Sequence, residues 1–221
     1  MRTLERTRGR ATLAILTTIL FLTFLDNTIV SVILAGIQSD LSAGVSALQW
    51  VVNAYALTFA ALMLTFGTFG DMFGRKRIML GGVAVFCAGS AIAALAPDVN
   101  VLLAGRIVMG VGAAASEPGT LSMIRQLYTD RQERARALGV WAAVSGLALA
   151  MGPVIGGALA GFSSWRAVFW FNLGFGLLAL GSAAAILPES ADPEGRRVDL
   201  PGVALGVVAL VTGIYGVIAG E

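Results

Sequence analysis

Residues 67–77 read GTFGDMFGRKR. Gly67, Gly70 and Gly74 let the backbone turn tightly. Arg75, Lys76 and Arg77 cannot enter hydrocarbon cheaply. On either side the chain is apolar, over residues 48–69 before and 78–95 after. Each flank is about 20 residues, enough for a helix to cross a ~30 Å hydrocarbon core. The segment is therefore a short charged loop between two membrane-crossing helices, and it sets the fold class.

Similar apolar stretches continue outward at residues 11–34, 101–124, 137–160, 168–187 and 201–219. With the first two they make about seven candidate spans. Backbone groups in lipid must pair within their own segment, so helices are expected. Composition agrees: 57% of the 221 residues are hydrophobic and 13% charged, against about 25% charged in soluble domains. Arg2, Arg6, Arg8 and Arg10 precede the first span. That span is too long for a signal-peptide core, and Asp26 interrupts it. It reads as a retained helix. Residues 188–200 are polar and hold two prolines, and read as a linker. The expected organisation is an N-terminal segment (1–10), a six-helix bundle (11–187), this linker, and a seventh span (201–221).

Basic residues alternate between loops. Four arginines precede span 1, three bases follow span 2, and Arg125, Arg131, Arg134 and Arg136 follow span 4. Arg196 and Arg197 follow span 6, while the other loops carry only Asp40, Asp98 and Arg166. The positive-inside rule places the N-terminus in the cytoplasm. The expected location is the cell membrane, crossed many times.

Three ionisable residues fall inside spans: Asp26, Arg106 and Glu117. Such residues are costly in lipid and are functional candidates by default. A structural ion pair or a misplaced span boundary is the alternative for each. Asp26 lies about 22 Å into span 1 and Arg106 about 8 Å from the other end of span 4. In a ~30 Å core the two levels coincide, so they pair if spans 1 and 4 are neighbours. Glu117 follows Arg106 by about three helical turns on nearly the same face. Pro118 directly after it frees a backbone carbonyl and can bend the helix. Burial disfavours a charged carboxyl group and a nearby arginine favours it. A site that alternates between those conditions can load and release a proton.

Glycines inside spans 4 and 5 predict close helix packing in lipid. On span 4 these are Gly105, Gly110 and Gly112; on span 5 they are Gly146, Gly152, Gly156, Gly157 and Gly161. Cys87 is the sole cysteine and histidine is absent. Intrachain disulfides, Cys-based zinc sites and serine–histidine catalysis are thereby excluded. A retinal protein needs a Schiff-base lysine in its last helix. The single lysine, Lys76, is in a loop. No enzyme activity, metal, cofactor or nucleic-acid partner is expected.

The 67–77 spacing, Gly67-x-x-x-Asp71-x-x-Gly74-Arg75-Lys76-Arg77, resembles the signature loop of the major facilitator superfamily. In that family the loop latches the cytoplasmic side. Here Asp71 would cap the following helix, and the bases would contact neighbouring helix ends. Asp26-Asn27-Thr28-Ile29-Val30 resembles the first-helix signature of drug:proton antiporters. Arg106-x-x-x-Gly110-x-Gly112 resembles the family's fourth-helix motif, whose arginine is linked to proton transfer. Gly152-Pro153-x-x-Gly156-Gly157 resembles the antiporter motif, a hinge in span 5. Gln49-Trp50-Val51-Val52-Asn53-Ala54-Tyr55 and Trp165-Arg166-x-x-Phe169-Trp170-x-Asn172 are similar to the fourteen-helix drug-resistance branch, the EmrB/QacA type. Ser31, Ile33, Ala35, Met109 and Glu117 depart from that branch's pattern.

The resemblance implies an all-α membrane half-bundle of two inverted three-helix repeats plus a seventh helix. It implies proton-coupled efflux of drugs or other small amphipathic molecules, and so antibiotic resistance. Asp26, Arg106 and Glu117 would handle protons and substrate, and Trp50, Tyr55 and Phe59 would border the pocket. A full member has two six-helix halves. The expected partners are therefore protons, a small-molecule substrate, the lipid bilayer, and a C-terminal half or a second copy. The alternative is a non-transporting remnant or a regulatory membrane subunit.

Overall fold

The computed structural model describes residues 2–190 and six positions between 202 and 212. The expected seventh span lies almost wholly outside these. The described helices are α1 (Arg2–Ile29), α2 (Leu34–Leu41), α3 (Val45–Phe73), α4 (Arg75–Ala94), α5 (Val99–Leu127), α6 (Arg131–Phe162) and α7 (Arg166–Ile186). Six helical segments are long and apolar enough to cross a membrane, the first running Gly9–Leu41 through both α1 and α2. The expected six spans are therefore present, with later ends than expected for span 1 and span 2; the 67–77 segment, expected as a loop, is helical on both sides of Gly74, and the name 67–77 loop is kept for this junction. The first helix also begins earlier, at Arg2, within the N-terminal segment placed before the first span.

Between α1 and α2 lies a single 3-10 turn, Val30–Ile33. Its cause is local. Residues 28–33 read Thr, Ile, Val, Ser, Val, Ile, and β-branched side chains and serine are weak α-helix formers. Ser31 Oγ donates to the Thr28 carbonyl at 2.6 Å, competing with the main-chain ladder.

Helix pairing follows the exchange of two three-helix units. The first span packs on α6 as α5 packs on α3, and α4 packs on α5 as α7 packs on α1. The most extensive contact is between α4 and α5, and glycine permits it. A Cβ on Gly112 would lie 2.3 Å from Phe86 N, and one on Gly89 would lie 2.6 Å from Met109 N. Gly105 and Gly82 meet the partner backbone in the same way. Gly110 faces the other neighbour, 2.7 Å from the Tyr55 carbonyl of α3. The stripe on α4 was not read from sequence. On α6, Gly146, Gly157 and Gly161 face open space, so only Gly152 and Gly156 of that expected set pack closely.

Each end of the bundle is tied. At the end opposite the 67–77 loop, Arg166 pairs with Asp40 and donates to the Ala96 carbonyl at 2.9 Å. Trp165 Nε1 also donates to Asp40, at 3.0 Å. One arginine thus joins three loops, and its charge, anomalous among the sparse loops, is met by an acid. At the 67–77 end, α4 has a glycine as N-cap and borrows its cap from residues 189–190. Arg75 N donates to the Ser190 carbonyl at 2.8 Å and Lys76 N to Glu189 at 3.1 Å. Asp71, expected to cap α4, pairs with Arg75 instead, which donates through Nε (3.0 Å) and Nη2 (2.6 Å). Lys76 Nζ reaches the Ala184 carbonyl near the end of α7, at 2.9 Å. Gly74 has φ +105° and sits under Glu189, which leaves no room for a side chain.

Replacing Gly112 by leucine is expected to abolish the folded bundle, read as loss of a monodisperse peak in detergent size-exclusion chromatography. Gly146→Leu is expected to leave that peak unchanged. Equal behaviour of the two variants contradicts the packing described.

Candidate functional site

The centre of the bundle holds one buried charge cluster. Asp26 on α1 is 0% exposed and Arg106 on α5 is 1% exposed. Arg106 Nη1 donates to Asp26 Oδ2. The other carboxylate oxygen, Oδ1, accepts from Asn172 Nδ2 on α7 at 2.7 Å. Arg106 Nε donates to the Val51 carbonyl on α3 at 2.9 Å. Its guanidinium carbon lies 4.5 Å from the centre of the Tyr55 ring, a cation–π arrangement. The Tyr55 hydroxyl donates to the Thr23 carbonyl at 2.9 Å. Four helices thus meet on one ion pair, and the two charges meet as the depth estimate required.

Charge-assisted hydrogen bonds are short and strong, and in a low-dielectric interior they hold geometry firmly. The arrangement is not saturated. Asn172 Oδ1 is buried and has no hydrogen-bond partner. An amide presents both a donor and an acceptor. Asn172 can therefore donate to an ionised Asp26 or, with its amide turned over, accept from a protonated one.

Asn172 stood in a quoted motif but was not singled out as a site residue. It was findable by depth. Arg106 is the eighth residue of α5 and Asn172 the seventh of α7, and both helices start at the same end of the bundle. A polar side chain at that level in an otherwise apolar helix is a candidate by the same reasoning applied to Asp26. Tyr55 was expected to border a pocket. It is instead 1% exposed, clamped beneath Arg106 and stacked on Phe59.

The cluster is joined to the α1–α6 contact. A Cβ on Gly152 would lie 2.0 Å from Thr28 Oγ1, and one on Gly156 would lie 2.8 Å from the Ile29 carbonyl. Thr28 Oγ1 donates to the Leu149 carbonyl at 3.0 Å. The Gly-Pro motif of α6 therefore packs on the end of α1 and the 3-10 turn, which begins four residues after Asp26. α6 remains one helix through Pro153, and α5 one helix through Pro118. A side chain added at Gly157, the last glycine of the motif, would meet open space.

Glu117 does not join the Asp26 cluster. It lies towards the other end of α5, in the wall of a cavity of about 330 Å³ with Gly67, Asp71 and Arg75 of the signature loop. It is 9% exposed. Cys87 is buried beside Gly176 of α7, as a small filler.

The family model described as Major Facilitator Superfamily matches residues 16–219. The multidrug resistance protein Stp of Mycobacterium tuberculosis is 38% identical over 201 residues, which are 91% of this chain and 37% of that protein. The methylenomycin A resistance protein of Bacillus subtilis is 40% identical over 196 residues, 89% of this chain and 42% of that one. The cephamycin export protein CmcT of Amycolatopsis lactamdurans is 36% identical over 218 residues, 98% of this chain and 45% of that one. This chain thus spans less than half the length of these relatives. Among solved structures, a bacterial homologue of the human lysosomal transporter Spinster superposes with a TM-score of 0.73 at 24% identity, over 86% of this chain and 46% of its own. The peptide transporter POT gives 0.75 at 14% identity, over 96% and 46%. At those identities the likeness is one of fold. The family match over nearly the whole length, the similar relatives and the six-helix bundle agree: this chain belongs to the major facilitator superfamily.

Proposed function

We propose that this chain supplies one six-helix half of a proton-coupled antiporter that exports drugs or other small amphipathic molecules across the cell membrane. The N-terminus and the 67–77 loop face the cytoplasm in this reading. Residues 11–187 are the bundle, 188–200 the linker and 201–221 a seventh span. The second half comes from the same polypeptide, another chain or a second copy. The observation that carries the reading is the buried Asp26–Arg106–Asn172 cluster, in a superfamily chain whose similar relatives are named for resistance and export.

The cluster has two workable states. With Asp26 ionised, Arg106 and Asn172 both donate to it. With Asp26 protonated, the Coulombic hold on Arg106 is released and the carboxyl O–H donates to Asn172 Oδ1, its amide turned over. Arg106 keeps the Val51 carbonyl and the Tyr55 ring in both states, so it need not leave its seat. The change falls on α1. Four residues further on, that helix narrows to a 3-10 turn, packed with the end of α1 on Gly152 and Gly156. A mid-helix 3-10 segment is a common hinge position. Proton loading at Asp26 thus biases the α1–α6 contact.

The pair is asymmetric when broken. A lone Asp26 can neutralise itself by taking a proton, whereas a lone arginine cannot lose one in the interior. Asp26→Asn is expected to destabilise the bundle by about 3–5 kcal/mol. The double variant Asp26→Asn/Arg106→Met is expected to recover most of that loss in detergent thermal melting. A double variant less stable than Asp26→Asn alone contradicts this account of the charge pair.

In everted vesicles holding both halves, the same double variant is expected to lose at least tenfold in uphill drug accumulation driven by a proton gradient. Native-level pumping would remove Asp26 from the coupling role. No gradient-driven movement by the unsubstituted protein would move the reading to a non-transporting or regulatory subunit.

Orientation is separately testable, because the native cysteine is buried. A cysteine at Ser163 is expected to react with impermeant maleimide in intact cells. One at Thr129 should react only after permeabilisation, and the reverse pattern overturns the topology.

A further inference from the structure

The outer piece of the first span, α2, lies beyond the Asp26 cluster and is held in a different way. Of its eight residues only Ile37 is buried, at 0% exposure. A helix of two turns does not keep its shape alone, so neighbours must fix it. Both of its ends are pliant. Before it comes the 3-10 turn Val30–Ile33, a common hinge form. After it comes Ser42, whose φ of +48° is a left-handed conformation that side chains resist. Gly44 then leads into α3, with open space where a side chain would be.

One polar group fastens α2 to the rest of the bundle. Among the described residues, the side-chain hydrogen bonds of α2 are those of Asp40, which accepts from Arg166 and, at 3.0 Å, from Trp165 Nε1. The other side of this fastening is rigid. Trp165 is buried and abuts the core residue Phe169 edge to face, with centroids 6.0 Å apart. The Arg166 guanidinium carbon lies 4.2 Å from the Trp165 ring centre, and Nη2 donates to the Ala96 carbonyl at 2.9 Å.

Depth separates this pair from the central one. The side chains of Arg166 and Asp40 are 30% and 48% exposed, and an ion pair open to water opens at small cost. The Asp26 pair is dry and does not. α7 thus holds the first span on both sides of its 3-10 turn, through Asn172 on Asp26 and through Trp165 and Arg166 on Asp40. Beside α2 there is room to move. A cavity of about 340 Å³ runs along Val32, Ile33, Gly36 and Asp40, bounded across from them by Ala160 and Ser163 at the end of α6.

We infer that α2 is a hinged strap, latched by Asp40 onto Trp165 and Arg166, which swings about the 30–33 turn into the α2–α6 cavity when the latch opens. The swing lifts Ile37 from its seat and leaves the Asp26 cluster in place. In the efflux reading the strap lies on the outer face of the half-bundle, where it covers or clears the path of a departing molecule. It rests on that reading for its purpose. Its test follows motion without substrate or proton gradient, so either proposal can fail without the other.

The experiment is the rate of maleimide labelling of the purified chain in detergent, in a Cys87→Ser background with a cysteine placed at Ile37. Labelling is expected to be slow with the latch intact. Asp40→Asn is expected to raise the rate about fivefold to tenfold, because local opening then costs less. Arg166→Met should do the same, and serves alone if Asp40→Asn does not fold. The double variant should match the single ones, because both residues form one latch. A cysteine at Ala113, 0% exposed in the core of α5, is expected to stay slow throughout. Fast labelling at Ile37 with the latch intact overturns the inference. So does an unaltered rate in the variants, or an equal rise at Ala113, which would show general loosening. Rates that multiply in the double variant would break the single latch into independent contacts and overturn it too.

Discussion

The Asp26–Arg106 ion pair is the interaction around which the bundle is organised. It lies where water cannot screen it, between helices far apart in the chain. Two charges moved out of water lose several kcal/mol of hydration each, and only close, fully bonded geometry offsets that. The protein meets the requirement with α3 and α7 as well as α1 and α5. The Val51 carbonyl and Tyr55 ring hold the guanidinium, and Asn172 holds the carboxylate. Four of the six spans are thereby oriented by one contact.

That demand explains the distribution of glycine. A central polar cluster is dry only if the helices around it approach closely. Gly89, Gly105 and Gly112 bring α4 and α5 to backbone contact, Gly110 brings α3 onto α5, and Gly152 and Gly156 bring α6 onto α1. In lipid no hydrophobic force drives this association, so contact area and backbone proximity carry it. The ends of the bundle are closed by charge instead, through Arg166 with Asp40 and through Glu189 over Gly74.

The two buried acids are thus in different physical situations. Asp26 has two donors and, in Asn172, a neighbour whose amide can also accept a hydrogen bond, so both of its protonation states find a partner. Glu117 lines a partly aromatic cavity, and no ion pair or side-chain hydrogen bond among the described residues engages its carboxylate. The same element, α5, carries both Arg106 and Glu117, so the pairing at one level and the cavity at the other share a rigid helix.

Much of this was legible in the chain because the bilayer is a demanding solvent. Length and apolarity define the six spans, charge at their ends defines the loops, and a charge within a span is conspicuous by its expense. Asp26 and Arg106 could even be levelled with each other from residue counts. What a linear count cannot give is azimuth: which way each helix faces and which neighbour it meets. Glu117 shares nearly the same helical face as Arg106, yet three turns along α5 that face borders α3, Trp141 and the 67–77 loop rather than Asp26. Gly157 and Gly152 look alike in sequence, and only one is pressed against the first span. Asn172, Tyr55 and the capping of α4 by Glu189 likewise depended on contacts between distant segments. Helix rotation and neighbour choice are set by the packing of all six helices at once, and that is a property of the assembled bundle alone.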